Sequence, residues 1–233
     1  MPSAQALAEA MEALLAPLAA EHARWPLHVV LDDRFARLWQ VTPPPVLSLW
    51  SGAEDLRSLA AMRLQQLYGE NPADWQIGAD WQALRPFVAT ALPRATLAAL
   101  QAVAERHALW LASTRPYLLA AWDGSQRQRQ RGQWLGLVHD GQLGLVGAHG
   151  QHLRHVRWQP LPAQADATWL PRLLAREALL QGLPAPASVL LCGPAPPWLQ
   201  QQEGCTWLPA PLPDPHASSA APSLWLAAAG TAA

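Results

Sequence analysis

Apolar residues at Leu7, Met11, Leu14, Leu15 and Leu18 fall on one face at helical spacing. They predict a helix over residues 4–22, with Ser3 as N-cap and Pro17 kinking or dividing it. Residues 27–31 read as a strand and Asp32-Asp33 as a turn. Residues 35–41 alternate as a second strand, with Phe35, Arg37, Trp39 and Val41 on one side, ended by Thr42 and three prolines. A helix over 53–68 turns Leu56, Leu59, Ala60, Leu64 and Leu67 inward and stops at Gly69, where glycine accepts the left-handed conformation of a helix end. Strands follow at 75–79 and 86–92. Pro93 opens a helix running to about His107 that buries Leu97, Leu100, Val103 and Ala104. A strand at 109–113 and a short helix at 115–122 lead to Gly124–Gly132, a polar connector.

Beyond the connector the period changes from 3.6 to 2. Residues 134–139, 142–148 and 151–159 read as an antiparallel meander, joined first by Asp140-Gly141 and then by His149-Gly150, both suited to turns that need positive φ. A helix over 165–181, with Leu170, Leu173, Leu174 and Leu180 inward, ends at Gly182. The run Ser188-Val189-Leu190-Leu191-Cys192 reads as a buried strand, 196–202 as a short helix and 205–208 as an edge strand. Residues 209–222, rich in Pro, Ala and Ser, read as lacking fixed structure, and 223–229 as a last docked helical turn. The expected organisation is a first α/β lobe (1–123), the connector (124–132), a second lobe (133–210) and a C-terminal tail (211–233).

Composition narrows the functions available. Half of the 233 residues are hydrophobic, 51%, and 14% are charged, so a sizeable core is expected. A net charge of −1 argues against a nucleic-acid binder relying on a basic field. All 16 Lys+Arg residues are arginine. Without lysine there is no P-loop lysine, Schiff base or Ser-Lys dyad. That scarcity, with one Ile and one Asn, points to a GC-rich bacterial gene. Two cysteines, no secretory signal and no apolar run of membrane length point to a reduced, cytoplasmic protein. The 13 tryptophans are scattered singly, as anchors rather than as a stacking platform for bases.

Few residues offer chemistry. His149, His152 and His155 are spaced by three, with His139 on the neighbouring strand. Side chains three apart on a strand point to opposite faces, so a solvated histidine ribbon is expected rather than a metal site. Asp32, Asp33, Asp74, Asp80 and Asp140 lie at strand ends, where carboxylates hold Mg²⁺ for phosphoryl transfer or nuclease work but where aspartate is also ordinary turn chemistry. Ser125 lacks the nucleophile-elbow glycines and reads as a loop serine. Arg127, Arg129 and Arg131 read as a solvated run, and Cys192 as a small buried hydrophobe. No catalytic, cofactor-binding or metal-ligating residue is assigned.

The order of elements resembles the actin-like (ribonuclease H-like) pilus and secretion assembly proteins, PilM of type IV pili and the GspL cytoplasmic domain of type II secretion. Leu38-Trp39-Gln40-Val41-Thr42-Pro43 stands for the family's apolar strand ending in proline. Val88-Ala89-Thr90-Ala91-Leu92-Pro93-Arg94 stands for a strand leading into a helix, and Ser113-Thr114-Arg115-Pro116-Tyr117-Leu118-Leu119-Ala120 for the next strand–helix junction. The meander and Ser188–Gly193 match the second half, so the resemblance spans residues 4–210. It implies a degenerate actin-like ATPase fold, with two lobes of mixed β-sheets flanked by helices.

The departures from the family bear on function. ATP-binding members open with a phosphate hairpin before the first helix, whereas this sequence starts at or inside that helix. The second hairpin falls at Val138-His139-Asp140-Gly141-Gln142, with Asp and Gly adjacent and no Ser or Thr following. The adenosine-side glycine pair becomes Gly193-Pro194, and proline removes a backbone donor. The resemblance thus implies a non-enzymatic cytoplasmic scaffold or adaptor without cofactor or nucleotide. Its partner would be a protein, an inner-membrane pilus or secretion assembly component, with no nucleic acid and no membrane insertion. Two alternatives stay open: a divergent phosphotransferase or nuclease of the same fold, and a partner-binding module unrelated to secretion.

Overall fold

The computed structural model describes residues 3–17, 24–44, 52–150, 152–208 and 224–227. Its elements are built round three hydrophobic cores, two within residues 1–123 and one centred on the meander.

The first core joins helix α1 (Ala4–Leu15), strand β1 (Pro26–Leu31), helix α3 (Arg94–Arg106) and strand β5 (Trp110–Pro116). Leu7, Met11 and Leu15 of α1 pack with Leu27, Val29 and Leu31 of β1 and with Leu100 and Val103 of α3. The predicted N-cap holds, since Ser3 Oγ accepts from Ala6 N at 3.1 Å. The helix ends at Leu15, just before Pro17, and 18–22 lie outside the described residues.

The second core belongs to an antiparallel sheet in the order β2-β4-β3, made by β2 (Arg37–Val41), β3 (Trp75–Ala79) and β4 (Phe87–Pro93). Helix α2 (Ala53–Tyr68) packs on it through Leu56, Ala60 and Leu64 and ends at Gly69 with φ +67°. Two expectations fail here. Phe35 belongs to a one-turn 3-10 helix, Asp33–Phe35, because Asp32 caps that turn before β2 begins. Leu67 is 47% exposed, facing an open groove beside β2.

The third core carries the meander: β6 (Trp134–His139), β7 (Gln142–His149) and β8 (His152–Pro160). Asp140 and Gly141 take φ of +51° and +69°, the double positive φ that a two-residue hairpin demands. Helix α5 (Trp169–Gln181) leads to β9 (Val189–Cys192), and helix α6 (Pro197–Gln200) to β10 (Cys205–Trp207). The sheet order is β10-β9-β6-β7-β8, with β6, β9 and β10 mutually parallel and the meander antiparallel. On α5 the inward stripe of Leu170, Leu173 and Leu174 continues to Glu177 and Ala178, which leaves Leu180 57% exposed against expectation.

Helix α4 (Tyr117–Gly124) follows β5 directly, yet its Leu118, Ala121 and Trp122 lie in the third core. Its C-terminal end overturns the solvated reading for one arginine of the run, while Arg127 and Arg131 are exposed as expected. Arg129 is buried, with Nη1 donating to Trp122 O at 2.8 Å and Ser125 Oγ at 2.9 Å and the guanidinium stacked 3.2 Å from the Trp122 ring centre. Burial pushes Arg129 down to about 10. Ser125, buried as well, donates to Trp122 O, so both side chains finish the helix.

The expected last helical turn is instead a strand. Strand β11 (Leu224–Ala227) pairs in parallel with β1, from Leu27↔Leu224 to Val30↔Ala227, and gives a three-stranded sheet β11-β1-β5. An apolar run this short has no period of its own, so the neighbouring edge decides its conformation. The tail at 209–222 lies outside the described residues.

Candidate functional site

β1 is followed directly by Asp32, Asp33 and Arg34, and the β6–β7 turn brings His139 and Asp140 against them. Asp32 Oδ1 accepts from Arg34 N at 2.8 Å, capping the 3-10 turn. Its Oδ2 accepts from Arg34 Nε at 3.1 Å, Arg34 Nη2 at 2.9 Å and His139 Nε2 at 3.0 Å. Arg34 Nη1 reaches Asp140 Oδ2 at 3.3 Å. The guanidinium therefore lies between two carboxylates from opposite lobes. Together with Gln142 and Trp158 these groups line a cavity of about 210 Å³, below the common range of ligand pockets, roughly 300–1,000 Å³.

Asp33 lines the same cavity and also reaches α4. Its carboxylate accepts from Leu118 N at 3.0 and 3.3 Å, capping α4, whose own N-cap position is Pro116 and has no side-chain cap. Beside it, the Tyr117 ring stands edge-on to His139, with centroids 5.4 Å apart.

The two neighbouring carboxyls titrate in opposite directions. Burial pushes Asp32 up, but the hydrogen bonds from Arg34 and His139 outweigh it and hold Asp32 below its ordinary value. Burial raises Asp33 to about 7; the Leu118 N–H opposes the rise and the Asp32 charge adds to it. Burial also pushes the Cys192 thiol up to about 12, in keeping with a thiol that packs as a hydrophobe.

Of the strand-end aspartates, Asp32, Asp33 and Asp140 meet in one cleft. Asp74 closes a separate 3-10 turn, and Asp80 accepts from Gln82 Nε2 at 3.1 Å. The histidines do not converge. His149 and His152 face each other across the exposed end of the β7–β8 hairpin, while His155 is buried 3.4 Å from the buried Glu177. Among the described residues no group of three or more His, Cys, Asp and Glu is placed to hold a metal ion. In the cleft, Arg34 pairs with both Asp32 and Asp140.

Gly193 adopts φ +95°, and a Cβ there would lie 2.0 Å from Val138 O. The end of β9 thus presses on β6 one residue before the cleft histidine.

Sequence reasoning missed Arg34, Tyr117 and Glu177. For Arg34 a signal existed, since Asp32 two residues before it is a capping residue whose second oxygen is free to pair. For Tyr117 and Glu177, which lie on helices, only the tertiary packing tells.

No protein-family model matches the sequence, and no curated protein matches it. Among solved structures, the cytoplasmic domain of EpsL, an inner membrane component of the type II secretion system of Vibrio cholerae, superimposes with a TM-score of 0.57 at 14% identity, over 85% of this chain and 75% of that one. The PilM–PilN type IV pilus biogenesis complex gives 0.56 at 12% identity, over 88% and 74%. The fold is actin-like. The Asp32–Arg34–His139–Asp140 cluster lies where the end of β1 meets the β6–β7 turn.

Proposed function

We propose that the protein is a non-enzymatic scaffold or adaptor of a pilus or secretion assembly, recruited to the inner membrane by holding a protein component there. The observation that carries this reading is Arg34, whose guanidinium spans Asp32 and Asp140 in the cleft. It pairs with the carboxylates that a nucleotide's metal would need. The fold likeness to an inner membrane secretion component and to a pilus biogenesis complex supports the choice of partner class. Among the described residues no helix is long and apolar enough to cross a membrane.

Calorimetry with ATP and Mg²⁺ is expected to show no binding at millimolar ligand. Micromolar affinity or Mg²⁺-dependent hydrolysis would select the phosphotransferase or nuclease reading instead, which draws on the meeting of Asp32, Asp33 and Asp140 in one cleft. Pull-down from the native host at moderate salt is expected to recover an inner-membrane pilus or secretion component. Recovery of none, with pilus assembly and secretion intact after gene deletion, would leave a partner-binding module of another system.

A further inference from the structure

β2 is an outer strand of its sheet, and β4 takes up one side of it. Among the described residues no strand pairs with the other side. The direction of its backbone groups follows from one contact. Tyr68 Oη donates to Leu38 O at 2.9 Å, so that carbonyl points out of the sheet. In an antiparallel pair, residues bonded to the partner strand alternate with residues that face away. Gln40, two residues on, therefore turns its N–H and C=O outward as well, while Trp39 and Val41 bond to Ala89 and Phe87. Pro93 agrees with this parity. It stands opposite Trp75 in the β3–β4 pair, where the same alternation asks no N–H of it.

This edge is the floor of an open slot of about 460 Å³, within the common range of ligand sites, roughly 300–1,000 Å³. Leu59, Arg63 and Leu67 of α2 form one wall, and His155 and Val156 of β8 the other. Among the described residues no Asp or Glu lines the slot. Arg63 is exposed, and its guanidinium donates to the Gln66 amide oxygen at 3.3 Å rather than to a carboxylate. The occupant's chemistry follows from these groups. Outward backbone groups on the floor call for an extended chain, the leucines for apolar side chains and the uncompensated Arg63 for a carboxylate.

We propose that the outer edge of β2 is a docking site for an extended, acid-bearing segment of a partner protein. The segment adds to the sheet as a further strand, sets apolar side chains against Leu59 and Leu67, and pairs a carboxylate with Arg63. The inference goes beyond the proposed role and stands without it.

The probe is an array of labelled synthetic hexapeptides made of Val, Leu and Thr with a single Glu, tested against the full chain. A subset is expected to bind, about 3-fold more weakly when Gln replaces Glu, the worth of an exposed ion pair. Arg63→Gln is expected to abolish that preference. In the tightest binder, N-methylation of alternate amides is expected to cost about 10-fold or more in one parity and little in the other, because an added strand uses every second amide. Gln40→Pro, which removes an outward N–H, is expected to fold as the parent does and to lose the peptide. No binding peptide, equal losses in the two parities, a Glu preference that survives Arg63→Gln, or a folded Gln40→Pro that binds as before would overturn the proposal. So would binding that appears only when residues 46–50 are replaced by a Gly-Ser linker, since the occupant would then be this chain's own segment. A dimer that the peptide dissociates would equally overturn it, the occupant then being a second copy. If Gln40→Pro does not fold, the two N-methyl series decide.

Discussion

Gly193→Ala is expected to cost about 3 kcal/mol or more, the range of substitutions that combine a backbone clash with strain. The added methyl would lie 2.0 Å from Val138 O, a backbone atom of a buried central strand that has no room to retreat, and φ +95° would be strained for alanine in any case. For a chain of this size that is a fall in melting temperature of about 10 °C. Gly182→Ala separates the two causes. Its φ of +59° is also left-handed, but nothing lies within 4 Å of the new Cβ, so its cost should stay near 1 kcal/mol. Thermal or urea melts of the two variants side by side make the comparison, and equal losses would remove Val138 from the explanation.

Asp33→Asn is expected to stabilise the protein at alkaline pH and to change little in acid. The Asp33 carboxyl is raised by burial to about 7 in the folded chain, from an ordinary value of 3.8. A group whose folded value is raised binds its proton more tightly when folded. Its contribution is therefore fully present below about pH 4 and is lost as pH climbs through 7. Asparagine keeps an oxygen for the Leu118 N–H and carries no charge to bury. Asp33 is only half-buried and caps a helix N-terminus, which favours the anion, so the gain above pH 8 should be about 1–2 kcal/mol rather than the full shift. Urea melts of both proteins between pH 4 and 8.5 give the difference directly. A variant less stable than the parent at pH 8 would mean that the carboxylate's cap outweighs its burial.

Much of the fold was legible where local signals agree. Asp140-Gly141 between alternating strands, Gly69 after an apolar helical stripe and Ser3 before another are each read from a few neighbouring residues, and each holds. What was not legible depends on partners far along the chain. Asp32 and His139 are 107 residues apart and meet only when the lobes do. Arg129 looked solvated even though its partner is near: Trp122, seven residues earlier, offers both its ring and its carbonyl, a contact that charge spacing does not reveal. Leu224–Ala227 takes its conformation from β1, at the other end of the sequence. The strand-end aspartates were noticed, but their convergence in one cleft, with Arg34 between two of them, was beyond a reading of spacing.

The junction at Pro116 also has mechanical meaning. β5 runs straight into α4, and α4 is rooted in the second lobe by Leu118, Ala121 and Trp122. A pull on that lobe travels back along two lines, one covalent through β5 and one through the Leu118 N–H into the Asp33 carboxylate. Both lines end on β1, whose six residues are laced to β5 in parallel register. The two links leave the sheet side by side at the same end of two parallel strands. The two lobes are thus tied at one corner by a covalent and a hydrogen-bonded link that lie next to each other, so a change in the position of α4 reaches β1 by both.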